Sequence, residues 1–75
     1  MNLERGTQVI GVWGAMVPES HGYVCSMEDT NQGTEVDIMW DNGSVHHTML
    51  SDIRDDYHET LQIGLYVNPF DNELM

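Results

Sequence analysis

Seventy-five residues carry thirteen acidic side chains against two basic ones, Arg5 and Arg54, for a formal net charge of −11. That balance speaks against nucleic-acid binding, which runs on Lys and Arg neutralising phosphates, and against anionic membrane surfaces. A chain this short builds one small domain, residues 1–75, with one compact core.

One cysteine, Cys25, rules out an intrachain disulfide, and its apolar surroundings suit a small core residue. No apolar run is long enough to span a bilayer, and M-N-L-E-R at the start lacks the basic and apolar regions of a signal peptide. A cytoplasmic protein is the expectation.

Residues 1–5 form a lead-in. Residues 7–13, T-Q-V-I-G-V-W, read as a first strand, with Gly11 marking a bend or close backbone approach. Gly14, Pro18 and Gly22 punctuate a loop over 14–22. Residues 23–28, Y-V-C-S-M-E, give a second strand and D-T-N-Q-G a turn.

The strongest local signal lies in 34–54. Val36, Ile38 and Trp40 alternate with Glu35, Asp37 and Met39, and Asn42-Gly43 suits a two-residue type I′ turn with φ > 0 at both positions. That loop sets Trp40 opposite Val45, Ile38 opposite His47 and Val36 opposite Met49. Directly opposed residues share a face, so Val36, Ile38, Trp40, Val45 and Met49 make one apolar side. His47 then joins the buried side as a neutral, hydrogen-bonded histidine, while Asp37, Met39, His46 and Thr48 line the other.

Residues 51–60 turn polar, and Ser51 with Asp52 suits the start of a short helical turn. Residues 61–67, L-Q-I-G-L-Y-V, read as the last strand, stopped by Asn68-Pro69. The core therefore spans about 6–67, and 68–75 is an acidic tail. Five short strands, one tight hairpin and a helical turn before the last strand predict an all-β, five-stranded small barrel whose closure removes exposed edges.

The residues offer little for catalysis. His46 and His47 are adjacent on a strand and point to opposite faces, and neither Cys-x-x-Cys nor His-Glu-x-x-His occurs. Asp52, Asp55, Asp56 and Glu59 lack the glycine and ligand spacing of an EF-hand loop and read as a solvated turn. With no Ser-His-Asp, Walker or Rossmann signature, the expectation is a protein without enzymatic activity, metal or cofactor.

Three pieces, V-I-G-V-W, G-Y-V-C-S and V-D-I-M-W-D-N-G followed by L-S-D-I-R, resemble the Tudor domain, a small SH3-like barrel. The resemblance covers residues 6–54. It implies an aromatic cage for methylated Lys or Arg, at the positions of Trp13, Tyr23 and Trp40. The loop after Trp40 departs from that pattern by lacking a further aromatic, and the hairpin register puts Trp40 in the core. A short, very acidic chain also resembles the small accessory proteins of tailed bacteriophages, which implies residence in a host cytoplasm and action on a host protein.

Two function classes follow. One is an interaction module that binds a basic protein through Trp13, Tyr23, Trp40, Asp41, Asp52, Asp55, Asp56 and Tyr57. The other is a DNA mimic, in which Glu28, Asp29, Glu35, Asp37, Asp41, Asp52, Asp55 and Asp56 stand in for phosphates in a nucleic-acid groove. Dimerisation through a strand edge is left open.

Overall fold

The computed structural model describes residues 3–59 and 62–70. Six strands form: β1 (Gln8–Val12), β2 (Ser20–Thr30), β3 (Gly33–Trp40), β4 (Val45–Met49), β5 (Ile53–Arg54) and β6 (Gly64–Val67). A 3₁₀ turn at Leu50–Asp52 separates β4 from β5. The predicted acidic tail falls mostly outside the described residues.

One sheet holds all six strands in the order β4-β3-β2-β1-β6-β5, antiparallel throughout except for the parallel β5–β6 pair. It curls into an all-β half-barrel. The predicted count of five is corrected to six, because Ile53-Arg54 is too short for a periodic signal. The expected helical turn is one 3₁₀ turn, earlier than predicted. Closure is also corrected: the ladder stays open between β4 and β5, which only the 3₁₀ turn joins.

The inner face collects the main core. Val9, Val24, Val36, Ile38, Trp40, Ile53 and Leu65 are buried together, with Trp13, Met27 and Leu50 packed on their flank. Val24 and Met27 are three residues apart yet share this face. A β-bulge explains it: Val24 pairs with Ile38 and Ser26 with Asp37, leaving Cys25 as the extra residue. Its Sγ lies 3.4 Å from the Asp37 carbonyl oxygen.

A second, smaller core lies on the outer face, where Ile10 and Tyr66 are paired across β1 and β6 and both are buried. Tyr57 meets Tyr66 edge-on at 5.7 Å and Phe70 at 5.9 Å, so the chain on either side of β6 covers this patch. Tyr66 Oη donates to the Gln62 carbonyl at 2.7 Å.

The β3–β4 turn differs from the prediction. Trp40 N–H donates to Ser44 O at 2.9 Å and Gly43 N–H to Trp40 O at 2.8 Å, so the loop is Asp41-Asn42-Gly43. Gly43 has φ of 90°, and no other residue type has positive φ among the described residues. This matches a three-residue loop, a turn ending in a glycine bulge, and excludes type I′. Asn42 Oδ1 accepts from both the backbone and the hydroxyl of Ser44, which fixes the turn.

The extra loop residue shifts the register by one. Met39 faces Val45, Ile38 faces His46, Asp37 faces His47 and Val36 faces Thr48. A shift of one exchanges the two faces of β4. His46, predicted outside, lies beside Trp40, and His47, predicted buried, is exposed. Val36, Ile38 and Trp40 keep their predicted burial, at 0%, 0% and 7% exposure. Val45 does not: 57% of it faces solvent.

Candidate functional site

A cleft of about 200 Å³ opens where β2 begins and β3 ends, lined by Glu19, Ser20, His21, Trp40, Asp41 and Asn42. Its floor depends on two glycines. Gly22 pairs with Trp40 across β2 and β3, and the indole lies against its bare backbone, while the far edge of the same ring approaches Gly11. Asp41 N–H donates to the His21 carbonyl at 2.9 Å, which holds the two walls at a fixed spacing.

Under the cleft three rings pack together. Trp13 meets Trp40 edge-on at 5.9 Å, and His46 lies parallel to Trp13 at 6.2 Å and edge-on to Trp40 at 6.0 Å. Trp13 Nε1–H donates to Ser20 Oγ at 2.7 Å, so the indole supports a cleft residue directly.

Two carboxylates stand on the rim. Glu19 Oε2 accepts from the Tyr57 hydroxyl at 2.7 Å, and this bond raises the phenol above its ordinary pKa of 10.0. Asp41 is exposed, and its carboxylate makes neither a hydrogen bond nor an ion pair among the described residues. The Arg54 guanidinium is engaged away from these residues. Arg54 clamps Asp56 with two bonds, 3.0 Å from Nε and 2.6 Å from Nη2, and reaches Gln62 at 3.1 Å. That clamp holds the Asp56 carboxyl below its usual range. The cleft therefore presents negative charge beside an aromatic edge.

The residues singled out in the sequence are scattered. Trp13 and Trp40 touch, but Trp40 is core, and Tyr23 lies on the outer face opposite Met39. The cage trio is thus not gathered around one cavity. Asp41 lines the cleft, Asp52 and Asp55 are exposed on the 3₁₀ turn and after β5, and Asp56 is tied to Arg54. Tyr57 reaches the cleft only through Glu19. Glu19, Ser20, His21 and His46 were missed. The first three sit where the sequence predicts a loop, and the predicted register turns His46 outward.

His47 makes a separate feature on the outer face. Its Nδ1 lies 2.6 Å from Asp37 Oδ1 and its Nε2 3.7 Å from Glu35 Oε1. The hydrogen bond to Asp37 is the main reason its pKa is raised above 6.5. Among the described residues no group of three or more His, Cys, Asp or Glu is placed to hold a metal ion, and no helix is long and apolar enough to cross a membrane.

Comparison with protein-family models, curated proteins and solved structures finds no match for this chain.

Proposed function

We propose that this half-barrel, SH3-like and Tudor-like in plan, is a non-enzymatic interaction module for a basic protein segment. A Lys or Arg side chain of the partner enters the cleft between Glu19 and Asp41. The observation that carries this reading is that Glu19 and Asp41 line one cleft together with Trp40 and that no arginine or lysine is paired to either among the described residues. A cation there gains charge-assisted hydrogen bonds, worth up to about 1 kcal/mol each at exposed carboxylates, beside the Trp40 ring that Trp13 and His46 hold in place.

The DNA-mimic reading asks for a uniform row of uncompensated acids. Asp37 is paired with His47 and Asp56 with Arg54, which breaks the row in two places and favours the peptide reading.

Heteronuclear NMR titration with a short Lys/Arg-rich peptide tests it, with the Gln-substituted peptide as control. The expected result is a shift of the Trp40 indole N–H and the His21 and Asp41 amides. The shift weakens with salt and disappears in the E19Q/D41N double variant. A response that is equal in that variant, or equal for the uncharged peptide, overturns the proposal.

A further inference from the structure

The open ladder leaves β4 as an edge of the sheet, and the backbone of that edge is available for pairing. Trp40 and Ser44 form a hydrogen-bonded pair. Antiparallel ladders alternate hydrogen-bonded and non-hydrogen-bonded pairs, so His46 and Thr48 also bond to β3. Val45 and His47 then aim their N–H and C=O groups away from the sheet, and Met49 its N–H, the Met49 C=O being taken up as the cap of the 3₁₀ turn. Among the described strands none pairs with β4 on that side.

Natural edges are blunted by Lys, Pro, a bulge or extreme shortness. The other edge, β5, has two residues. β4 has five, V-H-H-T-M, with neither Lys nor Pro and an unbroken register against β3. Among the described residues it is the edge without these defences.

We infer that β4 is a docking edge onto which an extended, basic segment of a protein partner adds as a seventh strand. Charge decides the occupant. A second copy would bring another −11 to the contact, whereas a basic strand meets acid at both ends of the edge. Asp41 stands just before β4 and Asp52 in the turn just after it, both exposed. Glu35 and Asp37 lie one strand in, on the outer face beside His47. Main-chain bonds to Val45, His47 and Met49 supply register, and flanking Lys or Arg residues supply selectivity. This inference rests on the reading that the partner is basic, and it shares only Asp41 with the cleft.

The test uses the whole chain and a synthetic peptide of alternating lysine and valine. Amide hydrogen exchange reads the edge directly. Val45, His47 and Met49 exchange fast in the free protein and slow with peptide, while His46 and Thr48 are protected in both states. His47→Pro removes an outward N–H without breaking a bond to β3, and weakens peptide binding by about tenfold. His47→Gln restores the N–H and with it the binding. Glu19→Gln, which leaves every acid of the edge in place, weakens the cleft response and retains edge protection, so failure of the cleft reading and failure of this one are separable. Slow exchange at the three amides in the free protein at low concentration overturns the inference. So does peptide binding that leaves them fast, or protection that grows with protein concentration and salt in the absence of peptide, which makes a second copy the occupant.

Discussion

Replacing Gly22 by alanine tests the packing that forms the cleft floor. Gly22 does not need a positive φ, so backbone conformation is not the obstacle. Space is. A Cβ there would overlap the Met39 carbonyl oxygen and come within 2.8 Å of Trp40 Cε3 and 3.0 Å of Trp40 Cα. Two of these atoms are backbone of the paired strand and cannot swing aside. Overpacking of this kind costs about 1–3 kcal/mol, and the backbone clash places Gly22→Ala near the top of that range. Alanine recovers about 0.4–1 kcal/mol through a less mobile unfolded chain. The net loss is about 2 kcal/mol, which in a domain this small lowers Tm by roughly 8–16 °C. Gly64→Ala is the control. Its Cβ would lie 3.8 Å from the nearest atom, on the Tyr66 ring, so it gains stability by about 0.4–1 kcal/mol. Urea unfolding followed by tryptophan fluorescence measures both. A Gly22→Ala protein as stable as the parent, or a Gly64→Ala protein that loses as much, would refute the close approach of β2 and Trp40.

Ile38 is fully buried at the centre of the core, so Ile38→Ala should cost about 2–5 kcal/mol in the same unfolding assay. Tyr66→Phe keeps the buried ring and loses the bond to the Gln62 carbonyl, for an expected loss of about 0.5–1.5 kcal/mol. The His47–Asp37 pair gives a signed pH effect. Because folding raises the His47 pKa, its contribution is complete below the unfolded value near 6.5 and fades as pH rises through the higher folded value. Thermal melts across that window should show the decline in the parent and lose that component in His47→Gln; equal pH profiles would remove the pair from the account.

The alternation in V-D-I-M-W was enough to place Val36, Ile38 and Trp40 inside, since period two has one reading on a half-buried strand. Asp-Asn-Gly was equally clear as a reversal of the chain. It did not state the loop length, because a glycine at positive φ serves a two-residue and a three-residue loop alike. The apolar pattern pointed the wrong way: Val45 and Met49 invite burial, yet the turn leaves Val45 exposed and puts His46 against the tryptophans. The bulge at Cys25 left no mark that period two could detect. Leu65-Tyr66 gave an apolar run whose two faces serve different cores, a division only the β1–β6 pairing reveals. The cleft was less legible still, because Glu19 and Asp41 are 22 positions apart in the chain and meet only through the pairing of Gly22 with Trp40.

β4 is therefore a frustrated strand, with turn chemistry and hydrophobicity asking for opposite pairings. Sliding it by one residue would sink Val45 and Met49 but evict His46 from the indoles and separate His47 from Asp37. The hairpin tip holds the balance, so Asn42 and Ser44, remote from any core, act as the latch on the strand's alignment. A strand laid along that margin would shelter the greasy side chain the latch leaves wet, and so would reinforce the existing alignment rather than compete with it.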